Sequence, residues 1–119
     1  MSRVALYEIA YGRSGDKGSD SNIGVIAYSD AGFQFLRDYL TTNKVKAYFK
    51  GLEPREVVRY ELPNLGALNF ILKGALSGGG SLSLRIDSQG KALGQALLEM
   101  MIDIPDEILY KAIKRGEVI

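Results

Sequence analysis

The chain has 119 residues, a formal charge of +1 and an ordinary share of apolar residues, 46%, which together predict one domain with a single packed core. Near-neutral charge provides no basic stripe for nucleic acid. Without cysteine or histidine, the chain has no disulfides, thiolate chemistry, Ser-His-Asp or Cys-His catalytic groups, or ordinary zinc sites.

Two strand-like runs flank a polar segment near the N-terminus. Residues 3–10 and 22–28 are rich in β-branched and aromatic side chains. Their connection is too short for a helical crossover, so we predict antiparallel neighbours with a loop at one end of the sheet. The loop, residues 11–24, is either a hairpin whose polar side chains satisfy local amides or a binding loop. In the second case its backbone amides, with Arg13 or Lys17, would face an anion.

Two helices are predicted next. Ser29 or Asp30 can cap the first and Thr41 or Thr42 the second, which Gly51 closes. The apolar residues at helical spacing are expected to face the core: Phe33, Leu36 and Leu40 in the first helix, and Val45, Tyr48 and Phe49 in the second.

The second half of the chain alternates between strand and helix patterns. A strand over 55–62 is predicted to turn Val58, Tyr60 and Leu62 inward. The later elements are a helix over 65–76, a strand over 81–87 behind the glycines at 78–80, a helix carrying Leu93, Leu97 and Met100, and a last helix over 105–115. Since both strands keep one polar face, helices should cover one side only. The predicted fold is α+β: a two-layer sandwich with a four-stranded mixed sheet.

Known ligand motifs do not fit the polar loop. Lys17 precedes Gly18 and a strand follows, unlike a Walker phosphate loop. Asp16, Asp20 and Asn22 match positions of a calcium loop, but an alanine stands where the closing glutamate is required. A weak divalent-cation site stays open as an alternative, and we predict no metal and no cofactor.

The remaining polar residues could together bind an anion. Asn64 and Asn69 flank the predicted start of a helix, whose first amides can receive an anion. Arg85 projects from a strand and would otherwise pair with Glu61. The ligand-binding candidates are Arg13, Ser14, Gly15, Asp16, Lys17, Gly18, Asp20, Asn22, Asn64, Asn69 and Arg85, and the weak catalytic candidates are Asp16, Lys17 and Asp20.

We expect a cytoplasmic protein made of one domain, residues 1–119. The N-terminus enters a strand pattern without a signal-peptide core, and no apolar run approaches the ~20 residues of a membrane helix. No linker-like or repeated segment divides the chain.

Several segments together resemble a known family. They are Arg-Ser-Gly-Asp-Lys-Gly-Ser-Asp-Ser-Asn-Ile-Gly-Val-Ile-Ala (13–27), Val-Lys-Ala-Tyr-Phe (45–49), Tyr-Glu-Leu-Pro-Asn-Leu-Gly-Ala-Leu-Asn-Phe (60–70), the glycines at 78–80, and the stretch 83–98. In this order they resemble the C-terminal domain of the acyclic terpene utilisation, or AtuA-like, proteins over about residues 3–102. The helix over 105–115 lies outside the resemblance.

This resemblance implies a ferredoxin-like α+β domain, which in the family is often fused behind a much larger domain and also occurs as a separate small protein. The family is linked to bacterial catabolism of acyclic terpenes and related acyl compounds. The resemblance therefore implies a small subunit or accessory domain that works with a separately encoded large AtuA-like protein, its glycine-rich loop contributing to a site for an anionic ligand of acyl-CoA type.

Two other functions stay open. The chain could be a stand-alone enzyme that uses Lys17 with Asp16 or Asp20 as acid and base. It could also be a structural oligomerisation module. We expect self-association, most simply a dimer, through the sheet face not covered by helices or through exposed Tyr and Leu side chains on the helices. We expect no nucleic-acid or membrane partner.

Overall fold

A computed structural model describes residues 1–75 and 92–113. The strands and helices are β1 (Ser2–Ala5), β2 (Ala10–Lys17), β3 (Asp20–Ala27), α1 (Asp30–Tyr39), α2 (Thr42–Tyr48), β4 (Glu56–Leu62), β5 (Ala67–Lys73), α3 (Ala92–Leu98), β6 (Met101–Ile104) and α4 (Asp106–Ala112). Short 3-10 helices cover Leu6–Glu8, Lys50–Leu52 and Pro63–Leu65. The glycines at 78–80, the predicted strand 81–87 with Arg85, and the predicted end of the last helix lie outside the described residues.

Four of the described strands form one sheet in the order β2-β3-β5-β4, and β1 pairs with β6 in a separate two-stranded sheet. The α+β class with a four-stranded sheet is confirmed. The prediction of a mixed sheet is wrong, because every pair in it is antiparallel. A parallel pair needs a crossover, and the segment after Pro63 that was predicted to provide one is itself a strand.

The N-terminal run is two strands rather than one. Leu6 and Ile9 are fully buried, and the 3-10 helix Leu6–Glu8 turns the chain between β1 and β2. The backbone N–H of Leu6 donates to the carbonyl of Met100 at 2.8 Å, next to the pairing of β1 with β6. The predicted pairing of residues 3–10 with 22–28 is therefore wrong. The neighbour of β3 is Ala10–Lys17, most of which was predicted to be loop.

The predicted helix over 65–76 is a strand over its central part. Leu68, Phe70 and Leu72 are buried at the two-residue period of a strand, while Asn69 between them is partly exposed. Leucines at 65, 68, 72 and 76 also fit a helical stripe, and a short apolar run alone does not separate the two periods. Pairing with β3 on one side and β4 on the other makes this segment an inner strand of the sheet.

The inward face of β4 is opposite to the predicted one. Val57 is buried, whereas Tyr60 is 54% and Leu62 40% exposed. Arg59 lies on the Val57 side, where its guanidinium donates to the carbonyls of Arg37 at 2.9 Å and Leu40 at 3.0 Å. Carbonyls in the last turn of a helix lack intrahelical partners. A charged residue therefore faces inward because it caps α1.

Helices α1, α2 and α3 pack on one face of the sheet, and α4 packs against α1. Ser29 Oγ accepts the N–H of Gly32 and Thr41 Oγ1 that of Lys44, so the two predicted caps are confirmed. Tyr48, predicted inward, is largely exposed, although its hydroxyl donates to the carbonyl of Ala96 at 2.6 Å. Partial burial, with a smaller effect of Glu99, raises the pKa of Tyr48. Within the described ranges, no helix combines the length and apolarity needed to cross a bilayer.

Replacing Arg59 with methionine should lower the free energy of unfolding by about 1–3 kcal/mol, because two partly buried carbonyls at the end of α1 lose a charged donor while the aliphatic stem is kept. Denaturant unfolding measures this change. Glu61→Gln is the control. It removes only the ion pair between Arg59 Nη2 and Glu61 Oε2, which are 2.9 Å apart, and should cost less than about 1 kcal/mol. Equal losses in the two variants would show that the ion pair, not the helix cap, is the stabilising contact.

Candidate functional site

The sheet face opposite the helices is called the open face here. Side chains alternate between the two faces of a strand, so the register places rows of side chains on it, and three of these rows contribute residues to one groove. The first, the apolar row, is Tyr11, Ile26, Ala67 and Leu62. The second, the polar row, is Arg13, Gly24, Asn69 and Tyr60. The third row is Gly15, Asn22, Ile71 and Val58.

A groove of about 570 Å³ crosses the open face over the apolar and polar rows. This volume falls within the ~300–1,000 Å³ usual for small-molecule sites. Leu65, which is 67% exposed, extends the lining beyond the apolar row. The groove therefore combines an apolar side with a polar side on a rigid sheet.

Gly24 leaves bare backbone at the centre of the polar row. A Cβ atom at this position would lie 3.7 Å from Asn69 Oδ1 and 3.9 Å from the carbonyl oxygen of Arg13. A larger side chain would therefore stand in the space between Arg13 and Asn69. Its absence leaves both of these side chains able to reach one ligand group placed over the glycine.

Arg13 is a cation without a carboxylate partner in the described part of the chain. The ion pairs found there are Arg3 with Asp103, Arg59 with Glu61, and the N-terminal amine with Asp106. The side-chain amides of Asn22 and Asn69 likewise make no hydrogen bond to any described residue. The groove thus presents one guanidinium and two amides with free hydrogen-bonding capacity.

The predicted polar loop is a β-hairpin. β2 and β3 are paired from Ala10 opposite Ala27 to Lys17 opposite Asp20, and the turn at Gly18 has a φ of 63°. An irregular loop with unpaired amides is therefore wrong for this segment. Of the candidates in it, Arg13, Gly15, Asp20 and Asn22 belong to the open face by register.

Two of the acidic candidates lie away from the groove. Asp16 pairs with Ser21, whose side chain is buried on the helix side, so Asp16 belongs to that side too. Asp20 Oδ1 accepts the backbone N–H of Gly74 at 2.9 Å, which ties the hairpin to the end of β5. The two carboxylates thus lie on opposite faces of the sheet. In the described ranges, no cluster of three or more carboxylates could hold a metal ion.

The remaining candidates are separated. Ser14 lies beside Gly94 of α3, on the helix side. Asn64 is exposed in a 3-10 turn, and Asn69 lies in the middle of β5, so neither flanks the start of an α-helix as predicted. The sequence reasoning missed Tyr11, Ile26, Leu62 and Leu65. Strict alternation extended into the polar segment would have placed the first two on one face with Arg13.

Comparison with known proteins identifies one family. The model described as the AtuA ferredoxin-like domain matches residues 4–103, which is most of the chain. No curated protein and no solved structure matches the sequence.

Replacing Asp20 with alanine should cost about 1–3 kcal/mol of folding stability, because the N–H of Gly74 loses a charged acceptor at the turn after β5. Melting curves and denaturant titration measure the loss. Asp16→Ala removes the same charge from the same hairpin without a comparable contact and should stay within about 0.5 kcal/mol of wild type. If Asp20→Ala is equally neutral, the hydrogen bond to Gly74 does not hold the hairpin in place.

Proposed function

This chain belongs to the AtuA ferredoxin-like domain family, and from that premise we propose that it is an accessory subunit rather than an independent enzyme. Its open face completes a site for an anionic ligand together with a separately encoded large AtuA-like protein. The setting is catabolism of acyclic terpenes or related acyl compounds, the process after which the family is named.

The observation that carries this proposal is the position of Arg13, a cation without a carboxylate partner in the described ranges. It lies in one row with Asn69, and only the backbone of Gly24 stands between them. A guanidinium binds carboxylate or phosphate oxygens through a planar pair of N–H groups, and the amide of Asn69 can donate to the same anion. The glycine-rich hairpin thus contributes to the site through one arginine and through backbone clearance.

The exposed apolar side chains around the groove support a partner. Tyr11, Tyr60, Leu62 and Leu65 are all exposed, and all of them except Tyr60 line the groove itself. Contiguous apolar surface of this kind marks an interaction site in soluble proteins. A large protein placed over the open face would bury it and would exclude water from the ligand. Self-association through the same face is the competing arrangement.

A stand-alone acid–base mechanism receives no support from the geometry. Asp20 is engaged with the N–H of Gly74, and Asp16 lies on the face opposite the groove. A general acid or base must reach the reacting atom within hydrogen-bond distance. Neither carboxylate is placed to do so for a ligand on the open face.

The partner is tested by co-expressing the chain with a large AtuA-like protein that lacks its own ferredoxin-like domain. Wild type should co-purify with it, and the double variant Leu62→Asp, Leu65→Asp should not, because two charges would be buried in an apolar interface. Met101→Asp is the matched control, since Met101 is also exposed but belongs to β6 in the other sheet. Mass spectrometry of the complex identifies any ligand retained.

Two results would contradict the proposal. Co-purification that survives both substitutions would place the interface elsewhere. A stable homodimer, seen by light scattering and abolished by the Leu62 and Leu65 substitutions, with no capture of the large protein, would assign the open face to self-association.

A further inference from the structure

We propose that the ligand of the open-face groove is an aliphatic carboxylate. Its carboxylate lies on the polar row between Arg13 and Asn69, and its hydrocarbon chain lies along the apolar row towards Leu62 and Leu65. The inference rests on the anion site of the proposed function and names the class of ligand that this site takes.

The groove is suited to a ligand whose head group carries a single negative charge. Apart from Arg13, no residue that lines the described groove is charged. A phosphate dianion or a diphosphate is usually met by more than one cation or by a row of free amides. The amides of β2 and β3 lie in the plane of the sheet and form no such row over Gly24. A carboxylate matches what is present. Its two oxygens fit the planar guanidinium, and its remaining lone pairs fit the donor amide of Asn69.

The spacing of the strands sets where that head group sits. Arg13 and Asn69 lie on either side of Gly24 in one register row, and neighbouring strands are ~4.8 Å apart. The two side chains therefore approach a common point over the glycine from strands ~10 Å apart. A group at that point touches backbone below and the guanidinium on one side. On the other side the nearest atom of Asn69 is Oδ1, so the amide, which makes no hydrogen bond to any described residue, turns its Nδ2 donor towards the bound anion.

The tail has one favourable direction. The apolar row lies two residues along each strand from the polar row, a distance of ~7 Å. It offers Tyr11, Ile26, Ala67 and Leu62, and Leu65 continues it. On the other side of the polar row, the third row presents Gly15 and Asn22 to the groove, whereas its apolar members Ile71 and Val58 do not line it. A hydrocarbon chain attached to the bound carboxylate therefore runs towards the β4 end of the groove.

The test is a set of calorimetric and NMR titrations of the full chain with acetate, butanoate, octanoate, octanol, octyl phosphate and coenzyme A. Octanoate should bind more tightly than octanol, octyl phosphate or coenzyme A. From acetate to octanoate, affinity should rise roughly twofold to fourfold per methylene that reaches the apolar row. The amide signals of Gly24, Asn69, Ile26 and Ala67 should shift, while those of α1 stay unchanged.

Three variants separate head from tail. Arg13→Gln should weaken octanoate about tenfold or more and leave octanol unchanged. Leu65→Ser should weaken octanoate several-fold and leave acetate unchanged; since Leu65 is exposed, the fold should tolerate the change. Lys46→Gln, on the exposed side of α2, removes the same charge as the Arg13 variant away from the open face and should bind octanoate like wild type.

Each other outcome overturns the inference in a distinct way. Tighter binding of octyl phosphate or coenzyme A would replace the carboxylate with a phosphate class and keep the anionic site. Equal binding of octanol would remove the role of Arg13. Binding of none of these probes would refute the ligand class on this chain. The partner proposal would still be decided separately, by co-purification.

Discussion

The side-chain alternation along β5 is the constraint on which the core and the candidate site both depend. Its inner residues Leu68, Phe70 and Leu72 fill the centre of the core, and Asn69 between them faces the groove. A slip of one residue in the pairing would exchange these two sets. Burial of a phenylalanine and two leucines therefore also fixes the position of the amide opposite Arg13.

The sequence supports correct predictions where a local rule acts alone. Ser29 and Thr41 cap helices because a side-chain oxygen reaches an amide within the same turn, whatever surrounds it. Such rules do not identify β5 as a strand, because its leucines fit the helical period as well as the two-residue period of a strand. They also do not predict that Arg59 faces inward. The carbonyls that Arg59 binds belong to a helix about twenty residues earlier in the chain, and only tertiary packing brings them together.

The site was predicted in part, for a similar reason. Arg13 and Asn22 are candidates because they are polar residues of a glycine-rich segment, and Asn69 because it flanks a predicted helix start. The register places all three on the open face. Asp16 and Asp20 come from the same segment, but strand alternation places Asp16 on the helix side of the sheet. Asp20 does not line the groove and accepts the N–H of Gly74 instead. The glycine-rich composition of this segment predicts a loop. At Gly24, however, the backbone is ordinary strand, and what the residue supplies is the lack of a side chain. Composition alone does not distinguish these two uses of glycine.

The small two-stranded sheet has a consequence for how this domain combines with others. β1 and β6 belong to the two ends of the matched family region, and they run side by side with Val4 opposite Ile102. The two ends of the matched region therefore lie next to each other. Such a domain can be attached to a larger chain, or separated from it, without a change in any strand of the four-stranded sheet. The same architecture thus suits the joining of this domain to another chain at either of its ends.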